Sequence, residues 1–483
     1  MNGAIRACAA LLPWLTLALS LAGCRGPTAP PALVVVVSLD TLRADRVGAV
    51  RDGASLTPAL DRLAAEGIRF RRARANANET RPSHAVLFTG RPASTLAPLD
   101  AFRLPAGTPT LAHALGAHGW QTAAFVAGGH MTRGAGLEQG FDLWNDTAEW
   151  GSLARTGDAA LGWLDAQRDP ARPAFLFVHG YDAHERYLKP SPFGYAFADR
   201  DSPARVARAG RVPGGTAGIT GGLLTFEEGL LERETRIRPR LDTAHLALAP
   251  SLAPLRLTDA DRAHLHGLYD GAVAWADAQL GRLVAGLDAR GLLDTATVIV
   301  LSDHGEALGE AGFAHHRFEL DETVLDVPLI VRLPGAEGAG GVVDDLVDLS
   351  DLAPTLLARA GIPPLAGADG HDLGPALAGT GRVGRAFSIA EGSVRQLAIA
   401  DEDGALVLSG LSSSNPRLPS VARALPLDAP AWTRTGRARG DAEAAALREA
   451  LAAWREAHPP AAAPTEDAVV RGTRGAGYWS AGP

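Results

Sequence analysis

The run Leu33-Val34-Val35-Val36-Val37 is apolar throughout and almost wholly β-branched, and it breaks straight into Ser38-Leu39-Asp40-Thr41. Branched side chains suit extended backbone, and a strand without polar alternation has to be covered on both faces. Such a strand belongs inside a mostly parallel sheet. The same pattern recurs at Thr122–Val126, Phe175-Leu176-Phe177-Val178, Thr297-Val298-Ile299-Val300-Leu301 and Pro328-Leu329-Ile330-Val331. Helical signals fall between these runs. Thr57-Pro58 opens a helix carrying Leu60, Leu63 and Ala64 that Gly67 stops, a second starts near Thr108 and stops at Gly119, and a third covers Leu268 to Leu287. Strands alternating with helices make a layered α/β fold with helices on both faces of the sheet.

The length of 483 residues accommodates one large domain with an appendage. With 46% hydrophobic and 21% charged residues the chain is not a disordered one. A net charge of -8 leaves no basic excess to neutralise phosphates, so nucleic acid is not an expected partner. Both cysteines, Cys8 and Cys24, lie near the start. Arg6 precedes an apolar run from Ala9 to Leu19 that is too short to cross a membrane and has the form of a signal-peptide core. It ends in Leu21-Ala22-Gly23-Cys24, which resembles a bacterial lipobox. The resemblance implies a leader over 1–23, cleavage before Cys24, lipid on its thiol and a tether over 24–32. Several acyl chains would hold the exported protein stably at the bacterial cell envelope. Arg25, which is not the aspartate of inner-membrane retention, favours the outer membrane or surface. A plain secretory signal with a chance cysteine is the alternative.

The pattern deteriorates over 191–256, where Gly, Pro and scattered charges surround one helical stretch at Phe226 to Glu234. This segment reads either as an insertion over the active-site face or as low-complexity spacer. Farther on, 376–483 form a smaller α+β portion and tail: a strand pair (Gln396 to Ile399, Ala405 to Leu408), then a helix at Asp441 to Glu456.

Ligands of open α/β sheets gather at the carboxyl ends of the strands. Three polar clusters stand there: Ser38-Leu39-Asp40-Thr41, His179-Gly180-Tyr181-Asp182-Ala183-His184 and Ser302-Asp303-His304-Gly305-Glu306. An Asp-His pair directly after a buried strand presents two metal-ligand types at one edge. A fourth element runs from Asn78 to Gly90, with Pro82 in the first turn of a helix and Thr80 at its mouth. A helix start supplies free N–H groups and positive potential for an anionic ester. Taken by itself, the segment favours Thr80 as no more than the helix cap.

Val36 through Asp45, Thr57 through Ala64, Thr80 through Gly90, Leu268-Tyr269-Asp270-Gly271, Ser302 through Glu306, Val327-Pro328-Leu329-Ile330 and Asp351 through Leu357 resemble the sulfatase family of the alkaline phosphatase superfamily. The matches occur in family order over roughly 33 to 375, which marks 33–375 as the catalytic domain. The resemblance implies an alkaline-phosphatase/sulfatase-like sandwich acting as a metal-dependent ester hydrolase. It assigns Asp40, Asp303 and His304 as metal ligands and Thr80 as nucleophile. His184 falls where a histidine faces the ester oxyanion, and His316, or else His315, matches a later basic residue of the active site. Asp182, His184 and His316 are a candidate second metal set. Mixed carboxylate and imidazole ligands favour zinc or manganese, with calcium the choice of oxygen-rich relatives.

Two departures bear on activity. Threonine cannot become formylglycine, the aldehyde nucleophile made from Cys or Ser, and His84 stands where the family has an arginine. Both steer the expectation toward phosphate mono- or diester hydrolysis through a Thr80 covalent intermediate, on a small or polymer-linked ester. The alternatives are a sulfuric ester hydrolase without formylglycine, a phosphoryl-group transferase, or a catalytically silent surface lipoprotein.

Overall fold

Both faces of the first strand are covered. In β1 (Leu33–Leu39), Val34 and Val36 enter one hydrophobic cluster, while Leu33, Val35, Val37 and Leu39 enter another. Successive side chains of a strand point to opposite faces, so this division requires packing on each side of the sheet. The protein, a computed structural model, is described over residues 33–99, 102–148, 150–185, 187–199, 259–310, 314–316, 320–392, 396–402, 404–409, 421–426 and 441–461. The leader, both cysteines, the tether up to residue 32 and most of the 191–256 segment, with its expected helix, lie outside these residues.

Seven more strands complete the main sheet: β2 (Ile68–Arg74), β3 (Gln121–Phe125), β4 (Leu143–Asn145), β5 (Ala174–Gly180), β6 (Ala296–Leu301), β7 (Leu329–Arg332) and β8 (Gly341–Asp348). Their order is β8-β2-β7-β6-β1-β5-β3-β4. β1 lies between β5 and β6 and is parallel to both. The sheet is mostly parallel, as expected, with β7 alone opposing its neighbours β2 and β6 among the described strands.

Helices cover each face. On one side α2 (Thr80–Thr89), α3 (Leu111–Ala117) and α6 (Leu352–Arg359) contribute Leu87, Phe88, Leu111, Leu115 and Leu356. On the other, α1 (Pro58–Ala65), α4 (Leu153–Ala166) and α5 (Asp259–Asp288) contribute Leu60, Leu63, Trp163, Leu268 and Leu280. Full burial of a side chain such as Phe88 is worth roughly 1.5–3 kcal/mol. α1 begins at Thr57-Pro58 as expected, yet its free N–H groups go to a distant carboxylate. Asp277 of α5 accepts from Ala59 and Leu60, each at 2.9 Å, and ties the two helices together. β2, β4, α4 and β8 had not been expected from the sequence.

A second, antiparallel sheet follows, with β9 (Ser388–Gly392), β10 (Gln396–Ala400), β11 (Gly404–Ser409) and β12 (Val421–Pro426) in chain order. β10 and β11 are the expected pair, and α7 (Asp441–Ala457) is the expected helix. Leu447, Leu451 and Trp454 of α7 pack on Ile389, Leu397 and Ile399. This portion docks on the main body through Asn76, whose amide donates to the Ile389 carbonyl at 3.0 Å, and through Glu391, which accepts from the Ser94 N–H at 2.9 Å. No helix among the described residues is long and apolar enough to cross a membrane.

Candidate active site

Because β5, β1 and β6 are adjacent and parallel, their carboxyl ends meet, with Ser38 level with His179 on one side and Leu301 on the other. Asp40 lies just past β1, and Asp303 and His304 just past β6. α2 delivers Thr80 from above, and its hydroxyl donates to Asp40 Oδ2 at 3.2 Å. Thr80 is the first helical residue. The cap position belongs to Glu79, so the threonine hydroxyl is not spent on capping. Pro82 sits in the first turn, where a missing N–H costs nothing, and Gly90 closes the helix with φ +67°.

Asp40 Oδ1, Asp303 Oδ2 and His304 Nε2 are buried without a hydrogen-bond partner. Ligand atoms of these three residues all lie within 4.8 Å of one another. Polar atoms are expensive to bury unpaired, and a shared divalent cation removes that cost. The remaining atoms of each group are already fixed. Asp303 Oδ1 accepts from the backbone N–H of Thr41 at 3.3 Å and of His304 at 3.0 Å. His304 Nδ1 is 3.1 Å from the Gly305 carbonyl; a carbonyl can only accept, so the proton is on Nδ1 and the Nε2 lone pair faces the site. The residues therefore fit a metal, and imidazole beside carboxylate fits zinc or manganese. Burial and the Asp40 charge push Asp303 up to about 7. Burial also works to raise Asp40, but the His179 bond and the charge of His184 hold it well below the usual carboxylate range.

The chain turns sharply after β1. Thr41 has φ +58°, a conformation that is strained by about 1–3 kcal/mol for a β-branched residue. Its carbonyl accepts from Tyr269 Oη at 2.7 Å, its hydroxyl donates to the Asp40 carbonyl at 2.8 Å, and its N–H goes to Asp303. The strain thus points a backbone donor at a carboxylate of the candidate metal site.

Histidines line the remaining walls. His179 Nε2 is 3.2 Å from Asp40 Oδ2, the oxygen that also receives Thr80. Sequence reasoning had named His179 in a cluster without giving it a role. His84 Nδ1 donates to the Thr80 carbonyl at 2.7 Å, so its Nε2 accepts from Ser38 Oγ at 3.0 Å. Burial, then the neighbouring His179, lower its pKa to about 3, and the ring is neutral. His316 Nδ1 lies 3.1 Å from Glu306 Oε1, and the ring sits 4.3 Å from that of His304 and 5.5 Å from that of His184. Burial lowers the pKa of His316, and with Nδ1 donating to Glu306 the Nε2 is left as an acceptor. The His315 side chain lies outside the described residues.

Asp182 does not join this group. One of its oxygens accepts from the Ser152 hydroxyl and the other from the Leu153 N–H at 2.5 Å, so it secures the start of α4. The second metal set of Asp182, His184 and His316 therefore brings only its two histidines together. Other motif residues are scaffold too. Arg43 forks onto Asp45, bonds Glu310 at 2.6 Å and donates to the Glu306 carbonyl, tying the loop after β1 to the loop after β6. Asp270 pairs with Arg46 and Arg51 at 2.8 and 2.7 Å. Asp351 accepts from the N–H of Asp348 and of His371 and pairs with Arg385.

The family model for sulfatases matches residues 32–362. The chain belongs to the sulfatase family. Steryl-sulfatase of Mus musculus is 28% identical over 429 residues, covering 73% of this chain and 66% of that protein. The chain thus spans just under two thirds of the mouse protein's length. N-acetylglucosamine-6-O-sulfatase of Bacteroides thetaiotaomicron is 26% identical over 428 residues, covering 76% of this sulfatase-family chain and 75% of the relative. Among solved structures, the phosphonate monoester hydrolase of Silicibacter pomeroyi superposes with a TM-score of 0.65 at 21% identity, covering 88% of this chain and 96% of that one. At that identity the likeness shows the alkaline-phosphatase/sulfatase fold alone.

Proposed function

We propose that this sulfatase-family protein hydrolyses phosphate mono- or diesters through a covalent ester on Thr80. The observation that carries the reading is the buried Thr80 hydroxyl, bonded to Asp40 beside three unpartnered metal-ligand atoms. Asp40, Asp303 and His304 would hold a divalent ion, which supplies Lewis acidity toward a hydroxyl and an ester oxygen. Thr80 Oγ1, held by its bond to Asp40 Oδ2, attacks phosphorus and gives up its proton to solvent. The bond to the alcohol oxygen breaks, and that oxygen leaves hydrogen-bonded to His184 and takes its proton from solvent. Threonine carries a single oxygen on Cβ, so release of the intermediate needs water to attack the phosphorus. His316, oriented by Glu306, accepts that water's proton on Nε2 and passes it on to restore the Thr80 hydroxyl as the ester bond breaks.

The sulfatase names of the curated relatives favour a second reading, the same sequence of steps at the sulfur of a sulfate ester. Paired nitrophenyl phosphate, phosphodiester and sulfate substrates separate the two. Thr80→Ser should keep measurable turnover, and Thr80→Ala should lose several orders of magnitude. Full turnover in Thr80→Ala refutes the nucleophile. We further propose that Cys24 anchors the protein by lipid to the cell envelope.

A further inference from the structure

Lys189 is the sole lysine among 46 lysine and arginine residues of the chain. A sequence that writes nearly every cation as arginine has kept an amine at one place, and that place borders the candidate site. The two side chains are not equivalent. A guanidinium is large, planar and always charged, whereas an ammonium is compact, has three donors and yields its proton when buried.

The Lys189 ammonium donates to the backbone carbonyl of His184 at 3.2 Å. Burial lowers its pKa to about 8 against the attraction of Asp182. The loop after β5 is therefore held at two points. Asp182 is fastened to the start of α4 by Ser152 and Leu153, and Lys189 reaches back across five residues to the carbonyl of His184. His184 lies between these points with its ring against that of His316.

We propose that Lys189 is a positioning residue: stapling the His184 carbonyl, it fixes the His184 imidazole over the reacting ester, and the post requires an amine. The proposal rests on the ester-hydrolase reading of the site. Misplacing a catalytic group by about 1 Å costs on the order of 100-fold in rate. Lys189→Met should accordingly lower kcat about 10- to 100-fold with little change in KM, since the nucleophile and metal ligands are untouched. Lys189→Arg should fail to restore it. Wild-type kcat in either variant overturns the proposal.

Should the variants not fold, acylation of the folded wild-type protein with acetic anhydride replaces them, because residue 189 offers the only side-chain amine. Loss of turnover should track acetylation of the Lys189 peptide by mass, and turnover that survives complete acetylation overturns the role. The staple is also read without any turnover. Trace labelling across pH should reach half its maximum near pH 8, whereas a midpoint above about 10 is that of a solvated lysine and refutes the burial on which the staple depends. If Thr80→Ala proves fully active, the nucleophile reading falls while the labelling midpoint still decides the staple.

Discussion

Replacing Asp303 by asparagine should stabilise the metal-free protein and destabilise the metal-loaded one relative to wild type. The substitution keeps the side chain's shape and deletes one charge. Its amide oxygen can take the place of Oδ1 and accept from Thr41 and His304. Its NH2 group then stands where Oδ2 was, 3.4 Å from His304 Nε2, a lone pair able to accept. The folded protein holds the Asp303 pKa at about 7, above its ordinary 3.8. Ionising Asp303 therefore opposes folding. The penalty is nil below about pH 4, grows between pH 4 and 7, and is complete above pH 7. At about 1.36 kcal/mol per pH unit, the ceiling is roughly 4 kcal/mol. Relaxation of nearby donors and entry of water reduce this to about 2 kcal/mol. For a chain of this size that amounts to about 2 °C in Tm.

Thermal unfolding in chelator should thus show Asp303→Asn above wild type at pH 8 and level with it near pH 4. Added zinc or manganese at a hundred times Kd should raise wild type by about 2.7 kcal/mol and leave the variant, which lacks a ligand, nearly unchanged. The order of the two proteins then reverses. A variant less stable than wild type in chelator at pH 8 would refute the electrostatic argument. Equal stabilisation of both by metal would refute the ligand assignment.

Gly305→Ala should cost about 1–3 kcal/mol of stability and lower turnover, because the new Cβ would lie 2.1 Å from the Thr323 carbonyl oxygen and 3.2 Å from Arg43 Cγ; an unchanged Tm and kcat would show that this loop yields freely. Cys24→Ser should move the protein from the membrane to the soluble fraction on cell fractionation, and an unchanged membrane fraction would leave the lipid proposal without support.

How much of the fold was legible depended on how each element is buried. β1, β5 and β6 are covered on both faces, so their sequences are apolar without interruption and announce themselves. β2 reads Ile-Arg-Phe-Arg-Arg-Ala-Arg because it lies near the sheet's edge. Only Ile68, Phe70, Ala73 and Arg74 are buried, and Arg71 and Arg72 are exposed. β8 interrupts its own period with a register shift between Val343 and Leu346. α4 approaches α5 through small residues such as Gly157, beside Leu283, so its inner face lacks a strong apolar stripe.

The site followed the same logic. Asp40, Asp303 and His304 directly follow apolar strands, and Thr80 precedes an apolar helix, so local sequence exposes them. His179 was hidden because the strand signal stopped at Val178, whereas β5 continues to Gly180 and carries the ring alongside Ser38. Nothing near Asp182 reveals that Ser152 and Leu153, thirty residues earlier, will consume its carboxylate.

Thr80 and His84, the two departures from the family pattern, can be understood as one adaptation. Position 84 is fully buried, with Phe177, His179 and Phe88 around it at ring distances of 5.7, 5.3 and 6.3 Å. An arginine in that pocket would demand a carboxylate, and Asp303 Oδ2 stands 3.7 Å from His84 Nδ1. The guanidinium would then compete with the metal for its ligand. A neutral histidine makes no such claim. It instead uses Nδ1 to brace the Thr80 carbonyl and Nε2 to accept from Ser38, steadying the backbone beneath the proposed nucleophile. On this argument His84→Arg should lower metal affinity more than it disturbs the fold. A metal titration giving the wild-type Kd would show that position 84 and the metal do not compete.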